Sequence, residues 1–301
     1  MKDVELILLC NQTYSLPTII TFSEILKLGI FKKAHIVLHP PFSDPLFYEA
    51  IGKISKTHGV TTRVTSIEEI PFKGLIHSAH FSSQVFAKLV LPLVSTSQFS
   101  FFLDSGYLIC NESNATKYLH SHFESFVDSN CAIGLQSKLG EEKLLASCAI
   151  LFFDKEQFKA QKLFERLCSH YPHFMAEIAK KGISIMPEQA LLNEVLNRDD
   201  VYLLSQLNAG YADLGPNHWS ELGDVGIFKC KDMSENYDVF KFTGSYKPWV
   251  LSVLNPDKRI FLQKAAEVSN QYQIDLVGYG AIHMYPIQNT YEESMSVRLS
   301  E

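Results

Sequence analysis

No Cys-x-x-Cys pair, no lysine- or arginine-rich block and no apolar run of membrane-spanning length occurs in these 301 residues. Each absence removes a class of protein. The cysteines stand apart at positions 10, 110, 131, 148, 168 and 230. They build neither a zinc framework nor a stapled secreted scaffold, and read as reduced thiols of a cytoplasmic protein. Basic side chains number 27 against 33 acidic, giving a formal net charge of −6 and a pI near 6.0. Phosphate-backbone binding needs a basic footprint, so nucleic acid is excluded as the main partner. The longest apolar run, Leu144–Phe153, is half of the ~20 residues that cross a bilayer. Asp3 and Glu5 interrupt the amino-terminal stretch MKDVELILLC, which argues against a signal peptide. The sequons at Asn11, Asn111 and Asn114 then carry no glycosylation role. Repeats and low-complexity linkers are absent as well.

What is present is an ordinary globular mix, 46% hydrophobic and 20% charged, enough for one large α/β domain or two small ones. Strand and helix alternate over the first two-thirds. Val4–Leu9, 34–39, 59–65 and Phe99–Leu103 read as strands, with helices starting at Leu16 and covering Asp44–Thr57 and Gln84–Val94. Residues 111–130 are polar and read as an irregular exposed segment. Strands follow at 131–135 and 147–154, then helices from Lys155 to Tyr171 and from Pro187, which suits a first helical turn. DDVYLLS and DVFKF read as late strands and Pro256–Gln271 as a final helix. This alternation predicts a mainly parallel α/β sheet, whose ligands sit beyond the carboxyl ends of the strands. Asp104, at the end of FFLDSG, occupies such a place.

Five segments in order carry a resemblance: CNQTY after the first strand, FAKLVLPLV, FFLDSG, MPEQALLNEVL and KFTGSYKPW. Together they resemble the retaining family-8 glycosyltransferases, the family of glycogenin, galactinol synthase and bacterial lipopolysaccharide hexosyltransferases. The resemblance covers about residues 4–250. It implies a GT-A fold in 1–250, a Rossmann-like mixed sheet flanked by helices, with 251–301 a helical extension packed on the same domain. It implies transfer of a hexose, with retention, from a nucleotide diphosphosugar whose nucleoside is uridine. Asn11, Thr13 and Tyr14 would meet base and ribose, Tyr14 through its π-face. Lys88 replaces a family arginine near the donor and lacks its planar fork. Asp104, Ser105, Gly244 and Lys247 would complete donor binding. Gln189, flanked by Glu188, would lie against the reactive face of the sugar. Ser147-Cys148-Ala149 departs from the family's Asn-Ala-Gly, leaving the hexose open.

Relatives hold Mn²⁺ or Mg²⁺ with both acids of Asp-x-Asp and a histidine before the closing glycine. Here Gly106 takes the second acid's place and Lys241 the histidine's. One carboxylate does not hold a hard divalent ion, so no metal is expected. Lys241 would supply positive charge to the diphosphate instead. His77 and His80 form an His-x-x-His with no third ligand at a metal spacing. His218-Trp219 could touch an acceptor or simply pack. The acceptor expected is a glycan or lipid-linked saccharide. The acidic, polar end NTYEESMSVRLSE allows at most weak peripheral membrane contact. A non-catalytic descendant that binds a nucleotide sugar or a partner protein stays open as the alternative.

Overall fold

The structure, a computed structural model, describes residues 4–72, 83–137, 146–181, 187–205, 207–212, 237–242, 249, 258–276 and 278–279. Seven strands form the main sheet: β1 (Val4–Cys10), β2 (Lys33–Leu38), β3 (Thr61–Ser66), β4 (Phe99–Leu103), β6 (Ile133–Ser137), β7 (Ala146–Asp154) and β8 (Val201–Leu204). Their order is β3-β2-β1-β4-β7-β6-β8. β7 runs against both neighbours and every other pairing is parallel, so the sheet is mixed and mainly parallel. The expected fold class holds. Three short strands, β5 (Tyr107–Ile109), β9 (Ala209–Ala212) and β10 (Val239–Phe242), make a second sheet in the order β5-β10-β9.

Alternation along the strands splits the core between the two faces of the sheet. Leu6, Leu8 and Phe101 point to one face, Ile7 and Phe102 to the other. The first face is covered by α1 (Ser15–Leu26), α2 (Pro45–His58), α4 (Glu112–Ser129) and α8 (Lys258–Tyr272), and the second by α3 (Leu91–Val94), α5 (Lys155–Ala160), α6 (Leu163–Lys181) and α7 (Pro187–Val195). Every residue of α1 is buried, with the hydroxyls of Thr18, Thr21 and Ser23 taken up in hydrogen bonds. On its outer side α8 packs against α1 and α2. Tyr272 there receives a hydrogen bond from Ser23 (3.2 Å), and Tyr279 donates one to Asp44 (2.8 Å).

Two expectations need correction. Residues 111–130 are not irregular: they hold the 18-residue α4. The Asn111 side chain accepts from the Asn114 amide at one end, and Asn130 takes the left-handed conformation (φ 55°) at the other. Ala115, Leu119 and Phe126 are the stripe it buries. The helix expected from Lys155 to Tyr171 is instead two, broken at Lys162 (φ 51°), and the second continues to Lys181. The helix expected over 84–94 is present, wound as a 3₁₀ helix over Ser83–Val90 and as α3 beyond it.

Beneath the sheet, Glu5 accepts hydrogen bonds from Ser95, the Thr96 amide and hydroxyl, and Arg63. Arg63 also donates to Nδ1 of His35 (2.6 Å), which leaves Nε2–H to donate to Thr65 (2.6 Å). Protonating Nδ1 would break the first of these bonds. Burial and the Arg63 charge accordingly push the His35 pKa from 6.5 to about 4. A depressed histidine contributes stability that is present above its unfolded pKa and lost as pH falls from 6.5 towards 4. We expect about 2 kcal/mol to disappear over that window. Urea midpoints of His35→Gln should fall less steeply across it; identical slopes would remove His35 from the acid response.

Candidate active site

The site lies where β1 and β4 end side by side. After β1 the Asn11 side chain accepts from the Tyr14 amide (3.0 Å), shaping a 3₁₀ turn, Gln12–Tyr14, that leads into α1. Thr13 is exposed, while Asn11 and Tyr14 are partly buried. After β4 the Asp104 amide donates to the Ala149 carbonyl of β7 (2.9 Å). The Ser105-Gly106 turn is then pinned to α1. Ser105 and Thr18 share a hydrogen bond of 2.7 Å, and Thr21 accepts from the Gly106 amide (2.9 Å) while donating to the Tyr107 carbonyl (3.1 Å). Ser105 is thus engaged with the helix.

Four charged side chains from four separate segments meet at Asp104. Lys88, from the 3₁₀ helix, lies 3.0 Å from Asp104 Oδ1 and 3.4 Å from Glu188 Oε1. Lys241, from the middle of β10, lies 3.2 Å from Asp104 Oδ2. Tyr107 on the neighbouring β5 sets its ring 4.9 Å from the Lys241 ammonium, and the Phe102 ring is 5.7 Å from that of Lys88. Sequence reading missed both rings; the aromatics on either side of Asp104 in FFLDSGY were the available signal. Glu188, in the first turn of α7, has no solvent exposure, and its Oε2 has no hydrogen-bond partner among the described residues. Gln189 follows it, partly exposed.

The electrostatics follow from this packing. Burial works to raise the Asp104 pKa, but the Lys88 and Lys241 ammoniums overcome it and hold the carboxyl below its usual range. Lys88 is buried, yet Asp104 and then Glu188 keep it charged, with its pKa raised. Burial lowers the Lys241 pKa, helped by repulsion from Lys88 and only partly opposed by Asp104. Burial also raises the Glu188 pKa, which Lys88 only partly offsets.

These residues do not fit a divalent cation. Both oxygens of Asp104 already face ammonium groups. Gly106 has φ +94°, and a Cβ there would stand 3.0 Å from Cη2 of Trp249. The Trp249 ring, packed edge-on to Tyr14 and against Phe242 and Phe261, fills the room a second acid would need. Among the described residues no group of three or more His, Cys, Asp or Glu could hold a metal. Gly106→Asp should therefore lower stability by about 2 kcal/mol through backbone strain and displacement of the indole. Calorimetry with and without Mn²⁺ checks this; a variant of undiminished stability that gains tight Mn²⁺ binding would contradict it.

The structure brings Lys88, Asp104, Glu188 and Lys241 together, with Asn11 and Tyr14 at the adjoining strand end. Gly244, Lys247, His77, His80, His218 and Trp219 lie outside the described residues. Lys241 is a strand residue held by Asp104.

No family model matches the sequence, and none of the curated proteins does. Solved structures do match. The galactosyltransferase LgtC, in complex with donor and acceptor sugar analogs, superposes with a TM-score of 0.61 at 12% identity, over 88% of this chain and 96% of that one. The glycosyltransferase GlyE of Streptococcus pneumoniae TIGR4 gives 0.53 at 11% identity, over 96% of this chain and 66% of that one. Mouse xyloside xylosyltransferase 1 gives 0.50 at 11%, over 80% and 97%. The chain has the fold of the GT-A glycosyltransferases.

Proposed function

We propose that this chain is a retaining hexosyltransferase, which moves a hexose from a nucleotide diphosphosugar, with uridine as the nucleoside, to a glycan or lipid-linked acceptor in the cytoplasm without a divalent metal. The observation that carries this is the convergence of Lys88 and Lys241 on Asp104 at the carboxyl ends of the sheet. Ligands of open α/β sheets bind there. Two ammoniums already aimed at one carboxylate are aimed equally well at a diphosphate placed beside it. As the glycosidic bond breaks, negative charge grows on the leaving phosphate, and preorganised cations lower that barrier. Lys241 does the work a metal ion does in relatives that carry the second acid, with Lys247 of the closing Gly244 segment as its partner. Asn11, Thr13 and Tyr14 hold the nucleoside.

Glu188 flanks Gln189 and helps keep Lys88 charged beside the donor. Gln189 sets its amide against the anomeric carbon. An amide is a weak nucleophile, so substitution proceeds on one face through an oxocarbenium-like ion pair. An active-site mutant of LgtC with glutamine changed to glutamate lends this assignment support. Residues 1–250 form the transferase domain, with 251–301 as its extension.

The competing reading, a nucleotide-sugar-binding protein without turnover, draws on the ion pairs that both ammoniums already make with Asp104. Turnover separates the two. With UDP-hexoses as donors, hydrolysis or transfer should persist in EDTA and respond little to Mn²⁺, and the first-formed linkage should keep the donor's anomeric configuration by NMR. Gln189→Ala should lower kcat roughly 10²-fold with donor affinity nearly unchanged. Inhibition by EDTA that Mn²⁺ reverses would refute metal independence. Binding with no turnover would establish the competing reading.

A further inference from the structure

A second cluster lies on the same edge of the sheet, away from Asp104. β6 and β8 run in the direction of β4, so their carboxyl ends face the same side. There Tyr118 donates to the Ser205 carbonyl (2.6 Å) and accepts from the Gln136 amide (3.2 Å). His122, one turn along α4, bonds the Ser205 hydroxyl through Nε2 (2.7 Å), and its Nδ1 is 3.3 Å from the Tyr202 hydroxyl. The Tyr118 and His122 rings lie 4.4 Å apart. All five side chains are at least partly exposed. Burial lowers the His122 pKa, which keeps the imidazole neutral at physiological pH. The cluster thus carries two phenols, an imidazole, a primary amide and a hydroxyl, and no formal charge.

We propose that this cluster is an acceptor subsite for a neutral oligosaccharide; the inference rests on the glycosyl-transfer reading of the Asp104 site. Pyranose rings offer hydroxyls to amide, imidazole and hydroxyl groups, and C–H faces to aromatic rings. A phosphate or carboxylate ligand would call for a cation, and none of these five side chains is one. The segment after Ser205 leads within four residues to β9, whose Tyr211 is opposite Lys241 in the register with β10. The cluster and the reacting centre are therefore joined by one short connection. Between β4 and β8 lie three strand spacings, roughly 14 Å at about 4.8 Å each. That exceeds the width of one sugar ring, so the subsite holds a unit at a distance from the acceptor hydroxyl. The acceptor is an oligosaccharide chain rather than a monosaccharide.

The test is a glycan array of neutral, sialylated and sulfated saccharides from one to six units long, probed with the full chain. Neutral glycans of three or more units should bind best. Tyr118→Ala should weaken that binding about tenfold, the loss of roughly one favourable contact, and Tyr118→Phe should restore most of it. A mere brace on Ser205 would predict equal losses, because the phenylalanine variant lacks the hydroxyl as fully as alanine does. Melting temperatures establish that both variants are folded. Equal loss in the two variants, a preference for anionic glycans, or no glycan binding by the wild-type chain overturns the subsite. UDP-hexose turnover in the same preparations reports separately on the glycosyl-transfer reading.

Discussion

Lys88→Ala is expected to destabilise the protein by about 3–5 kcal/mol, the range for breaking a buried ion pair by removing one partner. Lys88 is 8% exposed and Glu188 is 0% exposed. Taking the ammonium away leaves the Glu188 carboxyl buried with its nearest cation gone. The acid then avoids its charge by holding a proton, and this fixes the sign of the pH response. A carboxyl whose folded-state pKa is raised is least harmful below its unfolded value of 4.5, and the protein loses stability as pH rises through the folded value. Urea unfolding of the variant should therefore show its smallest deficit in acid. Lys88→Met, which fills most of the same volume, should recover the packing part of the loss and none of the pH dependence. A deficit below about 1 kcal/mol at pH 7, the scale of exposed pairs, would mean that solvent screens the cluster far better than its burial implies.

Lys241→Ala should reduce turnover of a UDP-hexose by more than a hundredfold, about 3 kcal/mol of transition-state stabilisation. The loss should fall on kcat, because the charge it answers develops during bond cleavage. Donor affinity should fall as well, since the substitution leaves Asp104 with one cation fewer beside the diphosphate. Lys241 has its pKa pushed below the ordinary 10.5 by burial and by Lys88. Wild-type turnover should accordingly decline on the alkaline side as Lys241 loses its proton, and Lys241→Arg should move that decline to higher pH. Near-normal kcat in the alanine variant would show that Lys241 serves only to neutralise Asp104.

Strands β1, β2, β4 and β7 could be read from the chain because they are continuous apolar runs buried on both faces. The antiparallel course of β7 could not, since an apolar run is the same in either direction. α4 was obscured by composition: serines, asparagines and histidines cover three of its sides, and its buried stripe has only Ala115, Leu119 and Phe126. Asn111 at the amino end and the Leu119, Phe123, Phe126 spacing were the usable signs. β5 and β9, three and four residues long, are too short for any period to register. At the site, Asp104 was legible from its place at the end of an apolar run. Lys88 meets Glu188 across 100 positions of sequence, a contact that only the folded chain creates. The wedge of Trp249 against Gly106 is equally invisible locally, because no neighbour of Gly106 in sequence announces it.

That wedge bears on how such a site could change over generations. A side chain at position 106 would strain the backbone and press on the indole of Trp249, so an acid there does not come without a response from its neighbour. Trp249 would first have to shrink or swing aside, and by itself that opens a hole beside Phe242 and Phe261. Either change made first is harmful, and together they would still leave Lys88 and Lys241 where a metal's charge would fall. Positions 106 and 249 are thus coupled, so a substitution at one is best tolerated in step with a change at the other.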